Sequence, residues 1–109
     1  MGGYAVTYRT QYSQFRKGLR RRNPKLLSIL DSFESDLVQF LEQQRDGHHE
    51  AANLLAIRWR LKRLVGSVRE FEASPFDQTV DVRVIWTVHH DELVLEFVRV
   101  ASHTRACDP

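Results

Sequence analysis

The sequence contains very little cysteine, few glycines and no long apolar run. Its 109 residues include one cysteine, Cys107, so the chain cannot form an internal disulfide or a zinc site built from several thiolates. The five glycines form neither a GxGxxG nor a Walker-type loop, so nothing indicates a nucleotide cofactor. No stretch approaches the ~18 consecutive apolar residues of a membrane-spanning helix, and the first residues do not read as a secretory signal. We therefore expect a cytoplasmic protein with no cofactor and no membrane partner.

Metal and thiol chemistry are also disfavoured. The histidines at positions 48, 49, 89 and 90 form two adjacent pairs, and adjacent side chains on a helix or strand point to different sides. No HExxH pattern accompanies them, so we predict no metal site. Cys107 is followed by Asp108, an acidic neighbour that disfavours the reactive thiolate.

Basic residues are unevenly distributed, although the net charge is only +2. Residues 1–30 contain seven bases and no acid, residues 31–57 contain six acids and one base, and five more bases precede Glu70. Arginine, which accounts for thirteen of the sixteen bases, binds phosphate and carboxylate groups bidentately. Each basic block therefore suits a nucleic-acid backbone or an acidic protein, and the alternative is a solvated charged surface.

The chain length predicts one domain spanning residues 1–109, and its first half predicts one strand and two helices. Residues 4–8 alternate aromatic and small side chains, which is typical of a strand. Apolar residues at helical spacing follow from Tyr12 to Leu19. Asn23 and Pro24 then favour the N-cap and first position of a second helix. The apolar stripe of that helix consists of Leu26, Leu30, Phe33, Leu37 and Leu41.

The second half predicts three strands. Residues 48–57 are compatible with a third short helix or with an irregular connector. Residues 68–74 are compatible with a strand, residues 80–88 alternate valine or tryptophan with other residues, and residues 92–100 are rich in valine, leucine and phenylalanine. We predict an α+β fold of order β-α-α-β-β-β, with the two N-terminal helices packed on a small antiparallel sheet.

General acid–base chemistry on RNA is the reaction that these residues could perform. Cleavage next to a 2′-hydroxyl requires a proton acceptor, a proton donor and a cation for the phosphorane. The predicted sheet could bring together Asp81, Arg83, His103 and Lys62. The alternative interpretation is that Asp81 and Arg83 form a solvated strand face and that His103 is a solvated terminal histidine.

The C-terminal half resembles the RelE/ParE toxin superfamily, and its YafQ-like branch in particular. The resemblance lies in the segments RLKRLVGSVREFEAS and VDVRVIWTVHHDELVLEFVRVASH. They match a basic turn near Gly66, a "DYRVIY"-like strand at residues 81–86, and a valine-rich strand that ends close to His103.

The resemblance implies a toxin that a cognate antitoxin holds inactive and that cuts mRNA without a metal ion, either in the ribosome or free of it. It assigns catalysis to His103 and Asp81, phosphate binding to Arg83, and a basic-turn position to Lys62. The arginines predicted to contact RNA are Arg58, Arg60, Arg63, Arg69, Arg99 and Arg105.

The chain also departs from the family pattern. Ala101 replaces a glycine, and Cys107 stands near the place of an aromatic residue. Glu70 and Glu72 replace basic residues and would repel RNA phosphates. Three alternatives to an endoribonuclease therefore remain: a ParE-like inhibitor of DNA gyrase, a catalytically degenerate binding protein of the same fold, and an unrelated α+β interaction module whose basic helix binds an acidic partner.

Overall fold

A computed structural model describes residues 3–76 and 80–102 of the chain, which contain three helices and one sheet. The helices are α1 (Thr10–Arg22), α2 (Pro24–Arg45) and α3 (His49–Trp59). The strands are β1 (Ala5–Tyr8), β2 (Lys62–Arg63), β3 (Glu70–Ala73), β4 (Arg83–His89) and β5 (Val94–Ala101).

The sheet has the strand order β1-β5-β4-β3-β2. Strands β3, β4 and β5 form the predicted antiparallel meander, and β2 extends it by two residues. Strand β1 lies parallel to β5, with Ala5 opposite Val94 and Tyr8 opposite Phe97, so the sheet is mixed. The predicted α+β class is confirmed, and the parallel first strand is the feature that local patterning did not reveal.

Helices α1 and α2 cover one face of the sheet. The core between them is formed by apolar residues from both layers, including Tyr12, Leu30, Phe33, Leu37, Val84, Trp86, Leu95 and Phe97. The alternation predicted for residues 80–88 separates the two faces of the sheet. Val84 and Trp86 point toward the helices, whereas Arg83 and Ile85 point to the opposite face, which none of the described helices covers. We call that second face the open face.

The long helix α2 begins as its sequence predicts. The Asn23 side chain accepts a hydrogen bond from the backbone N–H of Leu26, and Pro24 occupies the first turn. The helix ends at Arg45, and Gly47 then adopts a φ of 83°, which is strained for other residues.

A buried carboxylate joins β1, α1 and α2. Glu34 of α2 accepts hydrogen bonds of 2.7 Å from the hydroxyls of Tyr8 and Tyr12. Arg16 donates to Glu34 and to Asp31, again at 2.7 Å in each case. Since the Glu34 carboxylate is buried, this pairing compensates for the loss of its hydration and fixes how the three elements meet.

The segment 48–57, for which helix and connector were both considered, lies largely in α3. The indole N–H of Trp59 donates to Asp36 of α2 at 2.9 Å, and Arg58 lies 3.7 Å from the same carboxylate. The other side of α3 exposes Leu54 and Ile57 to solvent. Its sequence was therefore ambiguous because its exposed face is as apolar as its packed face.

Candidate functional site

The open face combines a small apolar cluster with a set of charged side chains. Leu64, Ile85 and Val98 are buried together on this face, and Ala101 packs against them. The charged side chains around that cluster come from β2 to β5 and from Arg9, which follows β1.

Arg83, at the start of β4, is held by a buried glutamate. Its Nη1 donates to Oε1 of Glu72 at 3.1 Å, and the Glu72 side chain is fully buried. Lys62 pairs with Glu72 across β2 and β3, so the two side chains share the open face. Within residues 3–76 and 80–102, Oε2 of Glu72 has no hydrogen-bond partner.

Arg99 reaches the same face because β5 contains a bulge. Ile85 pairs with Arg99 while Trp86 pairs with Phe97, so Val98 is an extra residue in β5. Strict alternation from Phe97 would direct Arg99 toward the helices; the bulge places it on the open face instead. There its Nη1 donates to Oε2 of Glu70 at 2.9 Å.

A third ion pair lies at the β1 side of the face. Arg9 donates from Nε to Glu96 at 2.9 Å, and His89 lies 3.3 Å from the same carboxylate. The hydrogen bond from Arg9 lowers the pKa of Glu96 below its ordinary value; burial opposes the shift, and the His89 and Thr87 hydrogen bonds support it. Glu96 is therefore ionised at neutral pH.

Each open-face arginine thus has a glutamate partner on another strand: Arg83 of β4 pairs with the neighbouring β3, whereas Arg99 of β5 reaches across β4 to Glu70 of β3. A guanidinium has five donors, and the hydrogen bond to Glu72 engages one nitrogen of Arg83, so further N–H groups can face a ligand. The glutamates orient the arginines and at the same time reduce the positive potential of the face.

The structure describes some of the predicted site residues and not others. Arg83, Lys62 and Arg99 share the open face. Asp81 is exposed and lies two residues before Arg83 in the chain. The predicted catalytic His103, together with Arg105 and Cys107, lies outside the described residues.

The remaining predicted RNA-contacting arginines do not join the open face. Arg58 pairs with Asp36 on α2. Arg60 ends α3 in the left-handed conformation, with a φ of 54°. Arg63 lies over the ring of Phe71, and Arg69 stands exposed in the turn before β3. The structure therefore distributes this basic block around the β2 edge of the sheet.

Sequence reasoning did not identify the glutamates as partners of the arginines. From the sequence alone, Glu70 and Glu72 are substitutions whose negative charge opposes RNA binding. Their spacing of two residues, flanking Phe71, indicates that both side chains share one strand face. Which arginines they contact depends on strand order, which that spacing does not reveal.

An apolar groove lies between the helices and the β2 edge. It has a volume of about 370 Å³. Its apolar lining comes from Phe40, Leu41, Ala56, Leu61, Phe71, Trp86 and Val88. Arg63, whose guanidinium lies over the Phe71 ring, adds positive charge to the groove. Such a groove has the composition of a protein-binding surface with a basic rim.

Metal-binding clusters and membrane-spanning helices are both absent from the described part of the chain. No group of three or more His, Cys, Asp or Glu side chains there could hold a metal ion. His90, from one of the histidine pairs, shares a 2.9 Å hydrogen bond with the hydroxyl of Tyr4. None of the described helices is both long and apolar enough to cross a membrane.

Comparison with solved structures identifies the fold. The chain is similar to a chain of the crystal structure of the archaeal RelE–RelB complex from Pyrococcus horikoshii OT3. The TM-score is 0.59 and the sequence identity 18%, over 95% of this chain and 99% of that one. No protein-family model matches the sequence, and no curated protein matches it either. The chain has the RelE-like fold; at this identity the likeness concerns the fold alone.

Proposed function

We propose that the chain is the toxin of a type II toxin–antitoxin pair and cleaves mRNA in the cytoplasm by metal-independent acid–base chemistry. The observation that carries the proposal is the open face of a RelE-like sheet, where Arg83, Arg99 and Lys62 stand together. Arg83 pairs with Ala101, the last residue of β5, two positions before His103.

The proposed reaction transfers one proton at each end of the scissile bond. The 2′-oxygen attacks the adjacent phosphorus while Asp81 accepts the 2′-hydroxyl proton. The bond from phosphorus to the 5′-oxygen breaks, and His103 gives that oxygen a proton. Arg83, with Lys62, stabilises the additional negative charge of the phosphorane. The products are a 2′,3′-cyclic phosphate and a free 5′-hydroxyl.

The glutamates favour a second candidate function. Because Glu70 and Glu72 neutralise two open-face arginines, this face attracts phosphate less strongly than its arginine content suggests. A ParE-like gyrase inhibitor or a catalytically degenerate binding protein would require no acid–base residues. Under either alternative, growth arrest would occur without RNA cleavage or would not occur at all.

Controlled induction in a bacterium tests the proposal. New 5′ ends on cellular mRNA are mapped within minutes of induction. We expect growth arrest together with cuts at in-frame codon positions, which is the pattern of ribosome-dependent cleavage. Arrest without new ends would contradict RNA cleavage and indicate gyrase or another target.

Three variants make this test specific. His103→Ala removes the proposed proton donor and should slow cleavage by roughly 10²–10⁴-fold. Arg83→Gln removes the cation beside the phosphorane and should slow it by roughly 10²–10³-fold. Arg45→Gln removes a cation that lies over Tyr4, away from the open face, and should cut like the wild type. Equal toxicity of all three variants and the wild type would contradict the assigned roles.

The proposed partner is a cognate antitoxin whose amphipathic helix occupies the apolar groove. The groove supplies an apolar floor, and Arg63 favours an acidic residue beside the apolar row of such a helix. Ala56→Glu places a negative charge in the groove and should prevent rescue by the antitoxin without reducing toxicity. Asn53→Glu makes the same change of charge on an exposed site of α3 and should leave rescue intact. Full rescue of the Ala56 variant would place the antitoxin elsewhere.

A further inference from the structure

A second basic surface lies at the turn between α1 and α2, on the helical layer. It consists of Lys17, Arg20, Arg21, Arg22 and Lys25, and we call it the hairpin-end patch. We propose that the hairpin-end patch binds the phosphate backbone of a nucleic acid. The choice of RNA as that nucleic acid rests on the proposed function; the phosphate-binding surface itself does not.

The cations of the hairpin-end patch are exposed and unpaired. All five side chains are on exposed residues, and within the described part of the chain none lies within 4.0 Å of a carboxylate. Arg16, on the same helix, differs because it donates to both Glu34 and Asp31. Residues 1–30 contain no acid, so the positive charge of the patch is not offset along the chain.

Helix stability alone does not account for the patch. Arg20, Arg21 and Arg22 occupy the last turn of α1, where the helix dipole favours cations by about 0.3–1 kcal/mol each. Lys25 stands in the first turn of α2, where the dipole favours acids, and that turn contains none. The dipoles would predict an acid near Lys25, so positive charge is concentrated there against local preference.

The patch suits phosphates better than a folded protein. The exposed large apolar residues of the described chain are Val6, Tyr8, Leu54, Ile57, Val65 and Val68. None of them belongs to the helical hairpin end between Lys17 and Lys25. Protein interfaces usually require an apolar centre, whereas a phosphate backbone is held by cations alone. Five of the nine residues from Lys17 to Lys25 are arginine or lysine. Among the other four, Gly18 allows the Arg22 side chain to lie against α1.

Gly18 and the side chain of Arg22 lie close together on α1. A Cβ atom built at Gly18 would lie 2.9 Å from Nη2 of Arg22. The Arg22 guanidinium therefore occupies space that any larger residue would reduce. Arg22 is exposed, so its guanidinium is accessible to a phosphate group.

Salt-dependent binding to an uncleavable RNA tests the inference. The probe is a short labelled single-stranded RNA whose 2′-hydroxyls are methylated, and its anisotropy is measured with the full chain at several salt concentrations. The test variant combines Arg20→Gln, Arg21→Gln and Arg22→Gln, because glutamine preserves helix propensity. We expect affinity at low salt to fall roughly ten- to hundredfold and the salt slope to fall by about 2, at ~0.7 per lost phosphate contact.

A control variant separates a local surface from net charge. Gln39→Glu, Gln44→Glu and Asn53→Glu lower the net charge by the same three units at exposed positions on α2 and α3. This variant should bind RNA with nearly the wild-type salt slope. An equal loss in both variants, or no loss in the arginine variant, would overturn the inference. If circular dichroism shows that the arginine variant is unfolded, the double variant Lys17→Gln, Lys25→Gln replaces it. That variant must lower the salt slope of RNA binding by about 1.4.

The same assay shows whether the patch binds RNA or DNA. It also tests this inference separately from the proposed function. Tight binding to duplex DNA with the same loss in the arginine variant would assign the phosphates to DNA. Arg83→Gln should slow cleavage of unmodified RNA by roughly 10²–10³-fold, and it should lower the salt slope on the methylated probe by no more than the ~0.7 of one phosphate contact. A wild-type chain that binds through the patch but never cleaves RNA would contradict the proposed function and leave this inference standing.

Discussion

The Glu34→Gln substitution provides a quantitative test of how the helices are attached to the sheet. Glu34 accepts three hydrogen bonds, from Tyr8, Tyr12 and Arg16, each 2.7 Å long. A hydrogen bond to a charged group contributes about 1.5–3 kcal/mol and a neutral one about 0.5–1.5 kcal/mol. The amide keeps one acceptor oxygen, and water can replace the bond to the partly exposed Tyr8. We therefore expect a loss of about 2–3 kcal/mol.

Urea unfolding followed by far-ultraviolet circular dichroism measures this loss. With an m value of roughly 1–3 kcal/mol/M, the midpoint should fall by about 1–2 M. Asp31→Asn is the matched control, because it makes the same chemical change on α2 and also involves Arg16. The Asp31 carboxylate is exposed, so its ion pair should contribute no more than about 1 kcal/mol.

The comparison between the two variants decides the result. A Glu34→Gln protein within about 0.5 kcal/mol of the wild type would refute the claim that the buried carboxylate fixes α1, α2 and β1. An equal loss in both variants would show that burial of Glu34 is not what makes its ion pair important.

Two predictions concern pH. Burial first, and then the hydrogen bond to Glu34, raise the pKa of Tyr8 from 10.0 to about 12. As pH rises, the unfolded chain loses the Tyr8 proton before the folded chain does. The contribution of Tyr8 to stability should therefore be constant below pH 10 and should be lost as pH rises toward about 12. A urea midpoint that stays flat over that range would contradict the raised pKa of Tyr8. Arg9→Gln removes the main cause that lowers the pKa of Glu96, so a carboxyl NMR titration should show that pKa returning toward 4.5; an unchanged value would exclude the Arg9 contact.

The parts of the fold with regular local patterning were predictable from the sequence. The apolar stripe of α2 and the alternation in β4 each indicate one buried face. Asn23 and Pro24 indicate the start of α2, because asparagine caps a helix and proline suits its first turn. Strand β1 reads as a strand, but its parallel partner β5 is almost ninety positions away in the sequence. Its pairing depends on how both helices pack, which no local pattern records.

The candidate site was predictable only in its arginines. The alternation of β4 places Arg83 on the face opposite Val84, as expected. Arg99 reaches that face through a bulge that strict alternation would not predict. Glu70 and Glu72 were interpreted through their charge alone, whereas the strand order makes them partners of Arg99 and Arg83. The role of His103 stays a prediction, because this residue lies outside the described chain.

The most direct test of the central claim is cleavage of a defined mRNA on purified ribosomes by the purified chain. The account predicts a single cut in the codon exposed for decoding, with a 5′-hydroxyl on the downstream fragment. One 2′-deoxy substitution at the cut should abolish the reaction, because the 2′-oxygen is the proposed nucleophile. Cleavage that persists with the 2′-deoxy substrate, or intact mRNA at high enzyme concentration, would contradict the account.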